Sequence, residues 1–396
     1  MKAFFNLFLR EFRQFSRNGV AMAVFLGGPV VFGLLVGYTY TNATVRNLPV
    51  AIVDLNGSAL SDKVVDALGD TPTLQIKTVF RDEVAARKAF ATGTYEAVVT
   101  IPAGFEGDVQ QRRTPEIQVD LNMANILTAN FVSRAVQTTL STLNAGIEIE
   151  GLMKRGVPAL EARNLFQAFS INNTRYFNPS GNYGYYMLPG VTGAIVQQVF
   201  LLVLALAFSK EFEENTFEEV TEQTRWSGVV LLAKTLPYWL MGAGVWAFVL
   251  GILFPLFRLP GFGSTSALLV LVAAFTLALT GLGILVSILI PNQLRATEIL
   301  MILATPAFII SGYSWPASQM PVFLQQVAQA IPLTHYLSAL RSVYFLGAPL
   351  SSIHPQVLIL TLYGIGTLLL AWAALWWKMR KQEPVVVETV DDYQLM

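Results

Sequence analysis

Apolar and polar positions follow two different rhythms along this chain. Six stretches, at about residues 20–40, 185–208, 237–257, 268–290, 298–313 and 357–377, are apolar on all sides. Each is near the ~20 residues that a helix needs to cross a bilayer, so six spanning helices are predicted. From residue 41 to about 183 the long runs vanish, and short strand-like and helix-like patches alternate. Residues 49–54 (PVAIVD), 74–80, 95–101 (YEAVVTI) and 116–121 (EIQVDL) read as strands, and residues 59–68 and 82–91 as helices. Asn56-Gly57-Ser58 reads as a turn with a helix cap rather than a glycosylation acceptor. Longer helices are expected at 124–154 and 158–169. This alternation predicts an α/β domain with a mixed sheet.

Residues 2–18 carry Phe4, Phe5, Phe8, Phe12 and Phe15 at helical spacing, with Lys2, Arg10, Glu11, Arg13 and Arg17 over much of the remainder. The pattern predicts an amphipathic helix in the membrane interface, with Phe8, Phe12 and Phe15 in the acyl boundary. A solvated leader would expose all five phenylalanines to water. The first span follows this basic segment at full length, which predicts an uncleaved signal anchor rather than a signal peptide cut after Thr41 or Ala43. Gly27, Gly28, Pro29, Gly33 and Gly37 suit it to close helix packing.

The fifth run is short and is broken by Gly312 and Pro316. Residues 314–347 continue through Pro321 and Pro332 as half-apolar pieces that end at Gly347. Proline removes a backbone donor and disfavours helix in the residue before it, so each piece is predicted to be a separate helix. Such pieces at membrane depth fit a re-entrant hairpin in the outer leaflet. Gly312, Pro316, Pro321, Pro332 and His335 are its candidate exit-gate residues.

Composition agrees: 54% of the 396 residues are hydrophobic and 13% charged, against about 25% charged in a soluble domain. Mean hydropathy is +0.52. A formal net charge of zero argues against a nucleic-acid partner, and the lack of cysteine removes disulfides, thiolate nucleophiles and thiolate metal sites. Basic residues set the orientation. Lys2, Arg10, Arg13 and Arg17 precede the first span; Lys210, Arg225 and Lys234 follow the second; Arg295 follows the fourth; and Lys378, Arg380 and Lys381 follow the sixth. The opposite loops hold only Arg258 and Arg341, so both termini are predicted to be cytoplasmic and residues 41–183 to lie outside.

Candidate chemistry is sparse. The stretch 209–234 (SKEFEENTFEEVTEQTRWSGVVLLAK) concentrates acid at Glu211, Glu213, Glu214, Glu218, Glu219 and Glu222. Phe212, Phe217 and Val220 share a helical face within it, with Asn215 or Thr216 as a cap. A partnerless solvated loop is the competing reading. His335 and His354 lack a partner at metal-ligand spacing, so no metal ligand is assigned. No HExxH, GxSxG or GxxxxGK[ST] motif occurs, so no catalytic residue is assigned and this chain has no P-loop for ATP. Charged residues inside the expected spans are almost absent, Arg295 and Glu298 sitting at one span end, which argues against a proton- or sodium-coupled relay.

The run SGYSWPASQMP, then IPLTHYLSALR and a closing glycine, resembles the segment after the fifth span of type-2 ABC exporter permeases. VAIVDLNGSALSDKVVDAL and YEAVVTIPAGFEGDVQ resemble the extracytoplasmic domain of one branch of that family. The resemblance implies a polytopic α-helical membrane protein of six transmembrane helices, with re-entrant helices after the fifth and an inserted extracytoplasmic α/β domain. Its parts would be an interface helix (1–18), a first span (19–40), the α/β domain (41–183), the other spans (184–381) with a coupling loop at 209–234, and a cytoplasmic tail (382–396). It implies export of a hydrophobic or amphipathic substrate (drug, lipid or glycolipid) across a bacterial inner membrane. ATP and Mg would be bound by a separate ATPase subunit. A second permease subunit and a periplasmic adaptor are the other implied partners, beside the bilayer. The coupling loop would dock in the ATPase through Glu211, Glu213, Glu214, Thr216, Glu218 and Arg225. This chain departs from the family in placing Asn215 where glycine is usual, and Thr224-Arg225 where proline precedes the aromatic. A membrane-anchored receptor or secretion component is the rival class, which would not need an ATPase-binding loop. An integral membrane enzyme would need a convergent polar constellation that is not evident.

Overall fold

The computed structural model describes residues 2–41, 45–166, 174, 176–179, 181–259 and 263–381. The tail at 382–396 and the end of the helix expected at 158–169 lie outside the described residues. The chain divides into two compact units, Asn42–Gly181 and a second made of Met1–Thr41 with Asn182–Met396.

The first unit is an α/β layer structure. Strands β1 (Leu48–Asp54), β2 (Leu74–Phe80), β3 (Ala97–Ile101) and β4 (Gln118–Leu121) form one sheet in the order β2-β1-β3-β4. The first three are parallel and β4 is antiparallel to β3. Side chains alternate across a strand, so Val50 and Ile52 join Val64, Leu68, Val99, Val132 and Val136 in one core, while Ala51, Val53 and Val98 face Ala86 in another. Ser58 caps helix Ala59–Gly69 by accepting from the Ser61 amide, as the Asn-Gly-Ser reading expected. The helix Phe105–Gln110 escaped that reading; it is short and starts at Gly104 with a left-handed φ of 79°.

Among the described residues, the second unit holds six helices long and apolar enough to cross a membrane: Gly19–Thr39, Tyr183–Glu213, Ser227–Leu256, Thr265–Leu289, Gln293–Ile310 and Leu350–Lys381. The second and third run further than the apolar pattern indicated, so the expected loop 209–234 contracts to 214–226. The polar end of the second stays helical because Phe212 packs on Phe208 and on Phe217, with ring centroids 6.4 and 4.7 Å apart. Ala23–Gly27 and Val249–Leu253 form wider π-helical turns inside the first and third spans.

The fourth span is the hub. Ser287 donates to the Ala205 carbonyl at 2.7 Å and accepts from the Phe208 and Ser209 amides at 2.8 and 3.0 Å, which ties it to the second span. Trp239 and Trp246 of the third span donate to Thr280 and Thr276 at 3.1 and 3.2 Å. The sixth span packs on the fourth backbone to backbone: a Cβ on Gly281 would meet the Gly364 carbonyl oxygen at 2.7 Å, and one on Gly364 would meet Leu277 and Ala278 backbone atoms at 2.8 and 2.9 Å. Small residues at such crossings bring apolar helices into van der Waals contact where lipid supplies no hydrophobic drive.

After the fifth span the chain turns at Gly312, whose φ of 83° suits glycine. It makes a short turn at Ala317–Gln319, then helices Val322–Gln329 and Pro332–Leu346, and closes at Gly347 with φ 64°. Pro316 and Pro321 stand at the N-caps and Pro332 in the first turn, where a missing N–H costs nothing.

Gly364→Ala should lower stability by about 1–3 kcal/mol, because the new methyl meets backbone that cannot step aside. Gly366→Ala, with nothing within 4 Å of its Cβ, should be neutral or slightly stabilising. Thermal unfolding of the purified chain in detergent compares the two; equal shifts would refute the close-packing account.

Candidate functional site: a buried charge node

The amphipathic pattern of Lys2–Arg17 hides an anomaly. Leu7, Glu11 and Phe15, spaced to lie on one helical stripe, are its buried residues, so a carboxylate sits in the middle of the buried face. Phe15 packs edge-on against Phe25 and Tyr238 rather than facing lipid, with centroids 5.7 and 6.2 Å away. Phe8 is half-buried and stacks on Phe4, and Phe12 is exposed. The expected single aromatic face is therefore split: the helix buries its Leu7 side against protein and turns Phe5, Leu9 and Phe12 outward.

Glu11 is buried because Lys234 meets it. Lys234 lies in the second turn of the third span, 2% exposed, and its ammonium pairs with Glu11 and with Glu211 Oε1, the latter at 3.0 Å. Glu11 Oε1 also accepts from the Tyr238 hydroxyl at 2.6 Å. Glu211 Oε2 accepts from Arg10 Nη2 at 3.2 Å and from the Thr216 hydroxyl. Arg10 reaches on to Glu219 at 3.0 Å. Three carboxylates thus face two cations; the Tyr238 hydroxyl covers the Glu11 oxygen that no cation reaches, and Thr216 adds a second donor to the Glu211 oxygen held by Arg10. A buried charge is tolerated only when paired and hydrogen-bonded in this way. The node joins the N-terminal helix, the end of the second span, the short helix Phe217–Gln223 and the third span.

Two further contacts extend it. Glu213 Oε2 accepts the Gln293 amide at 2.7 Å, placing a carboxylate on the first turn of the fifth span. Lys378 of the sixth span sits 4.0 Å over the Phe212 ring and donates to the Ile288 carbonyl at the end of the fourth. The Phe217–Gln223 helix therefore has a polar or aromatic path to every span, the first through Arg10 and the Phe15–Phe25 contact. Phe217 and Val220 anchor that helix, being 2% and 0% exposed, while Glu218 and Glu222 remain outside. Asn215 has φ 57°, a left-handed conformation that asparagine tolerates better than most residues, so its exchange for the usual glycine keeps the turn. Thr216 stands at the N-cap but spends its hydroxyl on Glu211 instead of capping. Glu214 lies 3.9 Å from Lys210, and Arg225 is exposed.

The sequence reading named Glu211, Thr216, Glu219 and Lys234 within the coupling stretch, but it did not bring them together with Arg10, Glu11 or Tyr238. It also placed almost no charge inside the spans, which Lys234 and Glu211, buried within the third and second, correct. The signals were a carboxylate inside the apolar arc of the first helix and a lone lysine in GVVLLAKTLPYWL. At the opposite end of the spans, Tyr186 and Tyr313 exchange bonds: each hydroxyl donates to the other's backbone carbonyl, that of Tyr313 at 2.5 Å. Arg341 donates to the Tyr313 carbonyl at 2.8 Å and lies 4.9 Å from its ring centre. His335 is buried, with Nε2 2.9 Å from the Gln329 carbonyl oxygen, a structural tie between the two short helices. Among the described residues no cluster of three or more histidine or acidic groups could hold a metal ion.

Lys234→Met should destabilise the chain by about 3–5 kcal/mol, because it leaves Glu11 and Glu211 buried and facing each other. Adding Glu11→Gln and Glu211→Gln should recover most of that loss. Denaturant unfolding in detergent measures both, and an unchanged Lys234→Met midpoint would contradict the burial argument.

Comparison with known proteins follows the same outline. A model of the ABC-2 family transporter protein matches residues 21–373. Inner membrane transport permease YhhJ of Escherichia coli is 24% identical over 385 residues, covering 92% of this chain and 94% of that protein. Probable multidrug ABC transporter permease YbhS of the same organism is 27% identical over 349 residues, covering 86% and 88%. Probable multidrug ABC transporter permease YbhR, also of Escherichia coli, is 22% identical over 347 residues, covering 87% and 90%. The family match takes in Glu211, Lys234 and the short helices after the fifth span, and the chain belongs to the ABC-2 family of transporter proteins.

Proposed function

We propose that this chain is the membrane-spanning permease subunit of an ATP-driven exporter in a bacterial inner membrane, and that the charge node passes the stroke of a separate ATPase to the spans. The observation that carries the reading is the pairing of Lys234 with Glu11 and Glu211, beside a short helix whose acidic side is open. ATP and Mg are assigned to the partner, which docks on Glu218, Glu219 and Glu222. Its push reaches the N-terminal helix through Glu219 and Arg10, and the third span through Glu211 and Lys234. A receptor would have no use for this linkage.

The basic-residue distribution supports cytoplasmic termini, with the α/β unit on the outer face as an exit cap or an adaptor dock. The pieces after the fifth span are read as re-entrant, with the Tyr186, Tyr313 and Arg341 cluster as the latch of the exit. Two permease subunits, identical or homologous, would line the pathway. The names of YbhS and YbhR as probable multidrug permeases support a hydrophobic or amphipathic substrate.

Charge reversal at the open side, Glu218→Lys with Glu222→Lys, should cut ATPase recovery on co-purification by at least tenfold without lowering the unfolding midpoint of the chain. Full recovery of the ATPase with this variant would overturn the docking assignment.

A further inference from the structure

Around the N-terminal helix the surface changes character twice. Beside the buried stripe, Phe5, Leu9 and Phe12 are 58%, 54% and 44% exposed. Next comes a cleft of about 540 Å³ lined by Leu9, Arg10, Arg13, Arg17 and Gln223 among others. Arg10 is held by Glu211 and Glu219. Arg13 and Arg17 are exposed and, among the described residues, take part in no ion pair. The chain therefore presents two uncompensated guanidinium groups in a concave site that shares Leu9 with an exposed apolar strip.

We propose that this cleft binds the phosphate of an anionic phospholipid, with Arg13 and Arg17 as ligands and the acyl chains along Leu9, Phe5 and Phe12. The proposal rests on the reading that the helix lies in the membrane interface. Guanidinium groups pair with phosphate oxygens through two parallel N–H donors. A free phosphate or an acidic protein segment would satisfy the arginines but leave the apolar strip in water; a phospholipid satisfies both at once. Arg10 borders the same cleft, so the headgroup lies against a member of the charge node, and anionic lipid would brace the helix through which the stroke passes.

The test uses the full chain in nanodiscs of phosphatidylcholine mixed with phosphatidylglycerol, scoring the lipids retained on mild detergent extraction by native mass spectrometry. Wild type should retain phosphatidylglycerol over phosphatidylcholine, and Arg13→Gln/Arg17→Gln should reduce that preference by roughly ten- to thirty-fold. Arg13→Lys/Arg17→Lys, which keeps the charge, should retain most of it. No preference in wild type, or an unchanged one in the glutamine variant, would overturn the site. So would displacement of the lipid by excess inorganic phosphate, which would point to a free anion. Loss of ATPase co-purification in the glutamine variant with lipid preference intact would overturn it in favour of a protein partner. Because the chain has no cysteine, a single spin label at Phe12→Cys reports depth separately. A label in the aqueous phase would sink the interface reading itself, whereas a label among acyl chains without phosphatidylglycerol preference would sink only the lipid site.

Discussion

One ammonium group holds the working end of this protein together. Lys234 comes from a helix that is otherwise almost wholly apolar, and it is buried between carboxylates from two other helices. Removing the lysine leaves two carboxylates buried and facing each other, at a cost of several kcal/mol. Hydrophobic contacts hold the N-terminal helix against the bundle but carry no directionality of their own. A charge that is satisfied in only one arrangement supplies the missing specificity. The node therefore makes the N-terminal helix part of the transmembrane bundle rather than a loose appendage.

Rigidity elsewhere gives that node something to act on. The fourth span contacts the sixth through Gly281 and Gly364, and Ser287 pins the second span by three backbone bonds. In the proposed stroke, a displacement of the second span's end would be carried along helices instead of being absorbed by soft side chains. At the opposite end, Tyr186, Tyr313 and Arg341 join the start of the second span to the chain beyond the fifth. The second span runs from one polar lock to the other, which suits a lever that opens one end as the other is moved. Its Pro189, near the latch, removes a backbone bond where such bending would be needed.

Much of this was legible in the sequence, for reasons that differ by region. The six spans were readable because apolar residues in lipid must face outward as well as inward, leaving long unbroken runs. Strands of the α/β unit were readable because PVAIVD and YEAVVTI are β-branched and bounded by turn residues. Helix ends failed where polar side chains stay helical: Glu211 and Lys234 looked like loop and are span. Phe15 looked like a membrane contact because periodicity shows that a face is apolar, not what it meets. Glu11 was the harder case, since a buried carboxylate is recognisable only once its partner, more than two hundred residues away, is known.

Labelling across the node would probe the central claim directly. With Ser16→Cys on the N-terminal helix and Gln223→Cys at the end of the short acidic helix, both exposed, pulsed electron spin resonance reads the distance between the two elements. The measurement is made on the chain assembled with its ATPase, without nucleotide and with ATP trapped. If the node welds these elements into one moving body, the distance stays constant through the cycle in the native background and broadens when Lys234→Met is added. A distance that shifts with nucleotide while Lys234 is intact would show that the two helices move apart, and that the stroke does not travel through this buried lysine.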